Sequence, residues 1–284
     1  MRKNVRKIIL TLLILLFPLC AHAADKKESV SDRVLRTGVI RCGYALWPPG
    51  LIKDPNTGAL SGISKDLMDE IGKRLSLKTE WAEEAGWGNI VEGLVAGRYD
   101  MICGFVYANS ARSRVMDFSI PVAYSPLYIV VRADDRRFDA NLSTLNDPQY
   151  KIAILEGEQS AITQRQNFPH ASVDAIPQMS DYSVLLKDVE TGKADATTTE
   201  PGAFGDYNLN NPGKLKLLDR GHPLNVFPIV AGLPRGDPAF KRMIDVTLGE
   251  LQNDGTIDRL LDKYLQKQYK GIYLRLPQPY AAGP

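Results

Sequence analysis

Short apolar runs alternate with segments of helical periodicity along most of the chain, and this alternation restricts its fold more than any other feature. A first series predicts strands at 39–44, 78–82 and 99–104, separated by helices that begin near Ser64 and at Ile90. The series then restarts: the later strands are predicted at 151–155, 173–176 and 194–199, and the later helices at 160–166 and 182–191. A βαβαβ order favours a parallel sheet covered by helices on both faces. The sequence therefore predicts an α/β protein with two doubly wound sheets.

Two apolar extended runs, at 127–132 and 228–233, flank the second series. Two amphipathic helices follow, at 238–252 and 257–265, without strands of their own, so we expect them to pack back on the first unit. The chain would then cross between the units twice, through two hinge segments. The predicted first lobe is 24–128 plus 229–270, the second lobe is 129–228, and 271–284 is a mobile tail.

The N-terminus has the order of a secretory signal. A basic stretch of seven residues precedes a 12-residue apolar run, and Ala21-His22-Ala23 places small residues at a cleavage site. A spanning helix needs about 20 apolar residues, so a membrane anchor is disfavoured. A lipoprotein signal at Cys20 ranks second, because Leu19 is bulky. We expect residues 1–23 to be removed and the protein to be periplasmic.

Charge and histidine content exclude several functional classes. The signal holds four basic and no acidic residues, and the remaining chain carries a net charge of about −2. The remaining chain therefore has no excess of basic residues with which to bind nucleic acid. After the signal only His170 and His222 remain, and no zinc-type ligand pair or nucleotide-binding glycine motif occurs. We expect no metal and no cofactor.

Two cysteines, Cys42 and Cys103, lie in apolar runs that are predicted to be neighbouring strands of the core. An exported protein permits a disulfide. Side chains on neighbouring parallel strands rarely meet disulfide geometry, so buried free thiols are the expected state and a bond is the alternative.

Six short motifs occur in a fixed order along residues 33–268. They are Trp47-Pro48-Pro49, the run from Gly58 to Leu67, Gly97-Arg98-Tyr99-Asp100, Arg112 with Asp117-Phe118-Ser119-Ile120-Pro121, Gly192-Lys193-Ala194-Asp195-Ala196 and Asp254-Gly255-Thr256. With these motifs the chain resembles the bacterial extracellular solute-binding proteins of the amino-acid type, the periplasmic components of ABC importers. The resemblance implies the type II periplasmic binding protein fold, a small-molecule ligand between two lobes, and delivery to the membrane subunits of an importer. We expect a monomer.

Arg112 is the first candidate for ligand binding. The resemblance implies that the arginine at this place binds the α-carboxylate of the ligand, and a guanidinium matches two carboxylate oxygens. Arg114 nearby is interpreted as a surface residue.

Glu200 is the candidate partner for a ligand ammonium, because it stands where the family commonly has Asp. Trp47 and Trp87 lie in loops and are candidates to stack on the ligand, whereas Trp81 on a strand is expected in the core. The further candidate contacts are Tyr44, Phe105, Tyr107, Asn109, Glu158 and Gln159.

The chain departs from the family pattern at several of these positions. Asn109 replaces the usual Thr and Tyr107 a usual Ser or Thr, while Glu158, Gln159 and Ser160 follow Gly157 in the second unit. Glu158 would favour a cationic ligand or disfavour a second ligand carboxylate. The mode of binding an α-amino acid is therefore open at this stage.

Two other functions remain as alternatives. Some proteins of this fold are periplasmic dehydratases of prephenate-like acids, in which case Glu200, or Glu158 with Lys193, would act as acid or base. The second alternative is a sensor that reports its ligand to a membrane partner.

Overall fold

The structure is a computed structural model that describes residues 28–219 and 221–265. Its strands are β1 Val39–Tyr44, β2 Ile52–Lys53, β3 Leu60–Ser61, β4 Lys78–Glu84, β5 Met101–Tyr107, β6 Met116–Phe118, β7 Ala123–Arg132, β8 Lys151–Leu155, β9 Ser172–Ile176, β10 Ala196–Thr199, β11 Leu215–Leu217 and β12 Asn225–Pro234. Its α-helices are α1 Val30–Thr37, α2 Ile63–Leu75, α3 Ile90–Val95, α4 Gln159–Asn167, α5 Ser183–Glu190, α6 Pro201–Asn210, α7 Pro238–Asn253 and α8 Thr256–Tyr264. Short 3₁₀ turns occupy Arg112–Arg114 and Leu142–Leu145. The predicted signal peptide and most of the predicted tail lie outside the described residues.

The strands form two sheet regions. In the first, β1 pairs in parallel with β4 and β5, and β5 pairs with the antiparallel β12. In the second, β8 pairs in parallel with β9 and β10, and β10 pairs with the antiparallel β7. The predicted α/β fold with two lobes is confirmed.

β7 and β12 connect the two lobes. Ala123–Leu127 pairs antiparallel with Asn225–Ile229, so the two crossing segments lie side by side. Beyond this shared stretch, β7 pairs with β10 and β11, whereas β12 pairs with β5 and β6. Each strand therefore belongs to one lobe at one end and to the other lobe at its other end, as a hinge requires.

The C-terminal helices pack on the first lobe, as expected. Phe240 and Leu248 of α7 and Leu261 of α8 are at most 2% exposed, in one cluster with Leu67 of α2 and Cys42 of β1. This burial removes large apolar side chains from water, each worth about 1.5–3 kcal/mol. None of the helices among residues 28–219 and 221–265 has the length and apolar character to cross a bilayer.

Cys42 and Cys103 form a disulfide, so the expectation of free thiols is wrong. Cys42 on β1 is in register with Met101 on β5, which places Cys103, two residues further on, on the same face of the sheet. The two Cα atoms are 5.3 Å apart, which is within the usual range for a disulfide. This diagonal pair on adjacent parallel strands therefore meets the geometry of a disulfide.

Helix α2 also begins differently from the prediction. Gly62, with φ at +117°, precedes its first residue, and Ser64 lies inside the helix, where its buried hydroxyl has no hydrogen-bond partner among the described residues. A Cβ at Gly62 would lie 2.7 Å from the carbonyl oxygen of Gly50. The turn into α2 therefore requires glycine and does not use serine as a cap.

Candidate functional site

A cavity of about 590 Å³ lies between the two lobes. This volume is in the range of small-molecule binding sites. Eight of the ten candidate residues line it: Trp47, Trp87, Phe105, Tyr107, Arg112, Glu158, Gln159 and Glu200. Since they come from both lobes, a molecule in the cavity would be enclosed by closure of one lobe on the other.

Arg112 lies on the 3₁₀ turn that follows β5. The side chain of Asn109 accepts a hydrogen bond from the backbone nitrogen of Arg112 at 2.9 Å and so fixes the start of the turn. The guanidinium is buried, with 5% of the residue exposed, and its Nη1 donates to the carbonyl of Tyr107 at 3.0 Å. Its Nε has no hydrogen-bond partner among the described residues.

Burial lowers the pKa of the Arg112 guanidinium, and the Glu158 carboxylate and Tyr107 oppose that shift. A guanidinium keeps its proton even so, because its ordinary pKa is far above neutrality. A buried charge with an unused donor costs free energy unless an acceptor reaches it. The arrangement therefore suits a ligand anion, and a carboxylate in particular.

Glu200 ends β10 and caps helix α6. Its carboxylate accepts hydrogen bonds from the backbone nitrogens of Gly202, at 2.6 Å, and Ala203, at 2.7 Å. It also accepts from Nε1 of Trp47 at 3.0 Å, across the cavity. Burial raises the pKa of Glu200, and these hydrogen bonds partly oppose the shift. A carboxylate has about four acceptor positions, so one at most remains for a ligand.

Other contacts also join the two lobes. Nδ2 of Asn109 donates to Oε1 of Gln159 at 2.8 Å. Gly88 of the first lobe meets Gly157 of the second so closely that a Cβ on Gly157 would lie 2.5 Å from the carbonyl oxygen of Gly88. The structure therefore shows the lobes in contact around the cavity.

Aromatic rings form one wall. The ring of Trp47 lies edge to face with Trp87, at 6.2 Å between centroids, and with Tyr107, at 6.0 Å. Tyr107 in turn stacks on Phe227 at 5.2 Å. Phe105 lines the same wall with φ at +63°, a conformation that side-chain-bearing residues rarely adopt. The faces of aromatic rings cover apolar parts of a ligand and attract cations.

Two candidate residues do not line the cavity. Tyr44 is 7% exposed and packs edge to face on Trp81 at 5.3 Å, so it belongs to the packing of the first lobe. Asn109 is not among the lining residues, and it is linked to Arg112 and Gln159 by the two hydrogen bonds described above.

Lys193 is not among the residues that line the cavity. Its Nζ pairs with Asp188 at 2.8 Å and with Asp174 at 3.2 Å, and its side chain is 55% exposed. The acid–base pair of Glu158 and Lys193 considered for a dehydratase is therefore not assembled.

Sequence reasoning missed helix α6 and with it one wall of the cavity. The lining residues absent from the prediction include Tyr182, Asp206, Tyr207, Asn210 and Asn211. Ala203, Asp206, Tyr207 and Asn210 share one helix face because of their spacing. The glycine and asparagine content of α6 conceals it, although an acidic cap followed by proline at the first helical position was an available signal.

Comparisons with known proteins agree with this fold. The L-cystine-binding protein TcyJ of Bacillus subtilis is 25% identical over 92% of this chain and 95% of the relative. The crystal structure of the ancestral amino acid-binding protein AncCDT-1, a precursor of cyclohexadienyl dehydratase, has a TM-score of 0.71 at 24% identity, covering 84% of this chain and all of that one. The substrate-binding protein AbpA of Streptococcus pneumoniae, bound to L-arginine, has a TM-score of 0.70 at 19% identity, covering 84% and 99%.

A family model matches residues 40–267, which is most of the chain. The chain belongs to the bacterial extracellular solute-binding proteins, family 3.

Proposed function

We propose that this protein captures an amino acid or a related amine-bearing solute between its lobes in the periplasm and delivers it to the membrane subunits of an ABC importer. The observation that carries the proposal is the buried Arg112, which lines the cavity and whose Nε has no hydrogen-bond partner among the described residues. TcyJ is named for binding L-cystine and AbpA is bound to L-arginine, which supports an amino-acid ligand. Both are binding proteins by name, which favours a receptor over an enzyme.

The charges around Arg112 suggest how an α-amino acid would lie. Its carboxylate would accept hydrogen bonds from the guanidinium of Arg112. Its ammonium is joined to the same carbon, so the ammonium must have an acceptor close to Arg112. Glu158, only 8% exposed, is the carboxylate that opposes the shift of the Arg112 pKa, and one of its oxygens accepts from the backbone nitrogen of Ser160 at 2.7 Å. Glu158 therefore fits the ammonium better than Glu200, whose carboxylate accepts three hydrogen bonds already.

A calorimetric titration of ligand-free protein tests the proposal, after a thermal-shift screen over amino acids, amines and small organic acids. We expect at least one amino acid or amine to bind and to raise the melting temperature by mass action. Arg112→Ala should weaken binding by more than 100-fold, because a ligand carboxylate left buried and unpaired costs about 3–5 kcal/mol.

Arg114→Ala is the matched control, since Arg114 is on the same 3₁₀ turn but exposed. It should bind like the wild type. If no compound of the screen binds, or if Arg112→Ala binds as well as Arg114→Ala does, the proposed function is wrong.

The processing of the N-terminus, the bounds of the lobes and the oligomeric state of the mature protein are part of the same proposal. We propose cleavage after Ala23, lobes of 24–128 plus 229–270 and of 129–228, and a monomer in solution. The junctions of these lobes fall within β7 and β12, the two strands shared between the sheet regions. Mass spectrometry of protein released from the periplasm should give a chain that begins at Ala24. A retained N-terminus, or a lipid on Cys20, would contradict it.

A further inference from the structure

A chain of hydrogen bonds runs from the turn that carries Arg112 across the cleft into helix α4. The backbone nitrogen of Arg112 donates to Oδ1 of Asn109 at 2.9 Å, and Nδ2 of Asn109 donates to Oε1 of Gln159 at 2.8 Å. Nε2 of Gln159 then donates to the hydroxyl of Thr163 at 3.1 Å. Asn109 belongs to the first lobe, whereas Gln159 and Thr163 belong to the second. The bond between Asn109 and Gln159 therefore joins the lobes.

The direction of every bond in this chain follows from the first one. A backbone N–H is always a donor, so the side chain of Asn109 must present its oxygen to Arg112 and its amide nitrogen to Gln159. Gln159 must then accept with its oxygen, which leaves its nitrogen to donate to Thr163. A threonine at position 109, the usual residue of the family, could still cap the turn with its hydroxyl, but it has no amide to donate across the cleft.

The second-lobe end of this chain is shielded from water and borders the cavity. Gln159 is 1% exposed and Thr163 is fully buried. Gln159 and Arg112 both line the cavity, so the chain of hydrogen bonds adjoins the space in which a molecule would be enclosed. The lobes cannot separate around that space without breaking the bond between Asn109 and Gln159.

Resting on the proposed function, we propose that Asn109 and Gln159 form an interlobe latch, which closes when the lobes meet and slows release of the bound solute. Asn109 is a positioning residue in this role, because it acts on the solute through closure of the lobes. The solute enters while the lobes are apart, so the latch leaves the rate of entry unchanged. The solute leaves only after the lobes separate, and the loss of one neutral hydrogen bond speeds that step by about 2- to 10-fold.

A double-mutant cycle followed by stopped-flow kinetics tests the latch. Trp47 and Trp87 line the cavity, so tryptophan fluorescence can report binding and release. The probes are L-cystine and L-arginine, the compounds named with TcyJ and AbpA, and the tightest-binding compound of the thermal-shift screen replaces them if neither binds.

Asn109→Thr should raise the dissociation rate constant by about 2- to 10-fold and leave the association rate constant unchanged. Gln159→Ala should also raise the dissociation rate constant. In a chain that already carries Asn109→Thr, the effect of Gln159→Ala should be smaller by the same factor, because the shared hydrogen bond is already lost.

Asn141→Thr is the matched control. Asn141 also caps a 3₁₀ turn, since its Oδ1 accepts from the backbone nitrogen of Ser143 at 3.0 Å. It is exposed and is not among the residues that line the cavity. This variant should release the probe at the wild-type rate.

The outcomes distinguish the latch from the proposed function. The latch is overturned if Asn109→Thr keeps the wild-type dissociation rate constant, if only the association rate constant changes, or if the effects of the two substitutions multiply in full. An Arg112-dependent receptor stands in each of these cases. If no compound of the screen binds, both the latch and the proposed function are overturned.

Discussion

Replacing Gly88 with alanine should prevent full closure of the cleft and leave the open protein intact. A Cβ on Gly88 would lie 2.3 Å from Cβ of Gln178, 2.8 Å from Cα of Gln178 and 2.6 Å from the carbonyl oxygen of Glu156. Gly88 lies in the first lobe, and the other two residues lie in the second. Gly88 is not among the glycines with positive φ, so alanine fits its backbone conformation.

The size of the effect follows from these distances. Carbon atoms in contact are about 3.5–4.0 Å apart, so the new methyl group would be more than 1 Å too close to Cβ of Gln178, which is attached directly to the backbone. Overpacking of this kind costs about 1–3 kcal/mol. The cost arises only when the lobes close, so it should appear as a 5- to 150-fold loss of affinity, at about 1.4 kcal/mol for each factor of ten.

Three measurements check this reasoning on ligand-free protein: the affinity for L-arginine by calorimetry, the radius of gyration by small-angle scattering with saturating ligand, and the melting temperature without ligand. Gly88→Ala should bind more weakly, contract less than the wild type and melt at the same temperature. Gly249→Ala is the control, because a Cβ there meets nothing within 4 Å and the residue is inside α7. Wild-type affinity in Gly88→Ala would refute the assignment of Gly88 to the closing contact.

Three further predictions concern the disulfide, the indole contact and pH. Cys42→Ser with Cys103→Ser should lower the free energy of unfolding by about 4 kcal/mol, since the bond spans 61 residues; a loss below about 1 kcal/mol in urea denaturation would contradict this. Trp47→Phe keeps a ring but removes the donor to the buried Glu200, so calorimetry should show ligand affinity lower by about 1–2 kcal/mol, and an unchanged affinity would oppose it. Burial raises the pKa of Glu200 above 4.5, so its contribution to stability is full below pH 4.5 and is lost as the pH rises through the raised pKa; Glu200→Gln should flatten that decline in urea denaturation from pH 4 to pH 7, and an equally steep decline would contradict it.

The periodic parts of the fold were predictable from the sequence. β1 and β8 lie where their apolar runs placed them, and α7 begins at Pro238 as its early proline indicates. Strands buried on both faces read as continuous apolar runs, which is a strong local signal. Helix α6 has no such signal, since one side of it faces the cavity and carries polar side chains, and its place depends on the cap at Glu200.

Most of the candidate side chains predicted from the sequence line the cavity, whereas the partners that the fold gives them could not be predicted. Arg112 and Trp47 line the cavity, and the resemblance to the solute-binding family had indicated Arg112. The hydrogen bond from Trp47 to Glu200 depends on how the two lobes meet, which no local pattern contains. The same holds for the disulfide, which depends on a two-residue diagonal offset between strands that are 61 positions apart.

A crystal structure of the protein with a bound ligand from the screen tests the central claim most directly. The account predicts the ligand in the cavity between the lobes, with its carboxylate within about 3.2 Å of a guanidinium nitrogen of Arg112. A ligand bound elsewhere, or one in the cavity whose negative group leaves Arg112 without a contact, would contradict it.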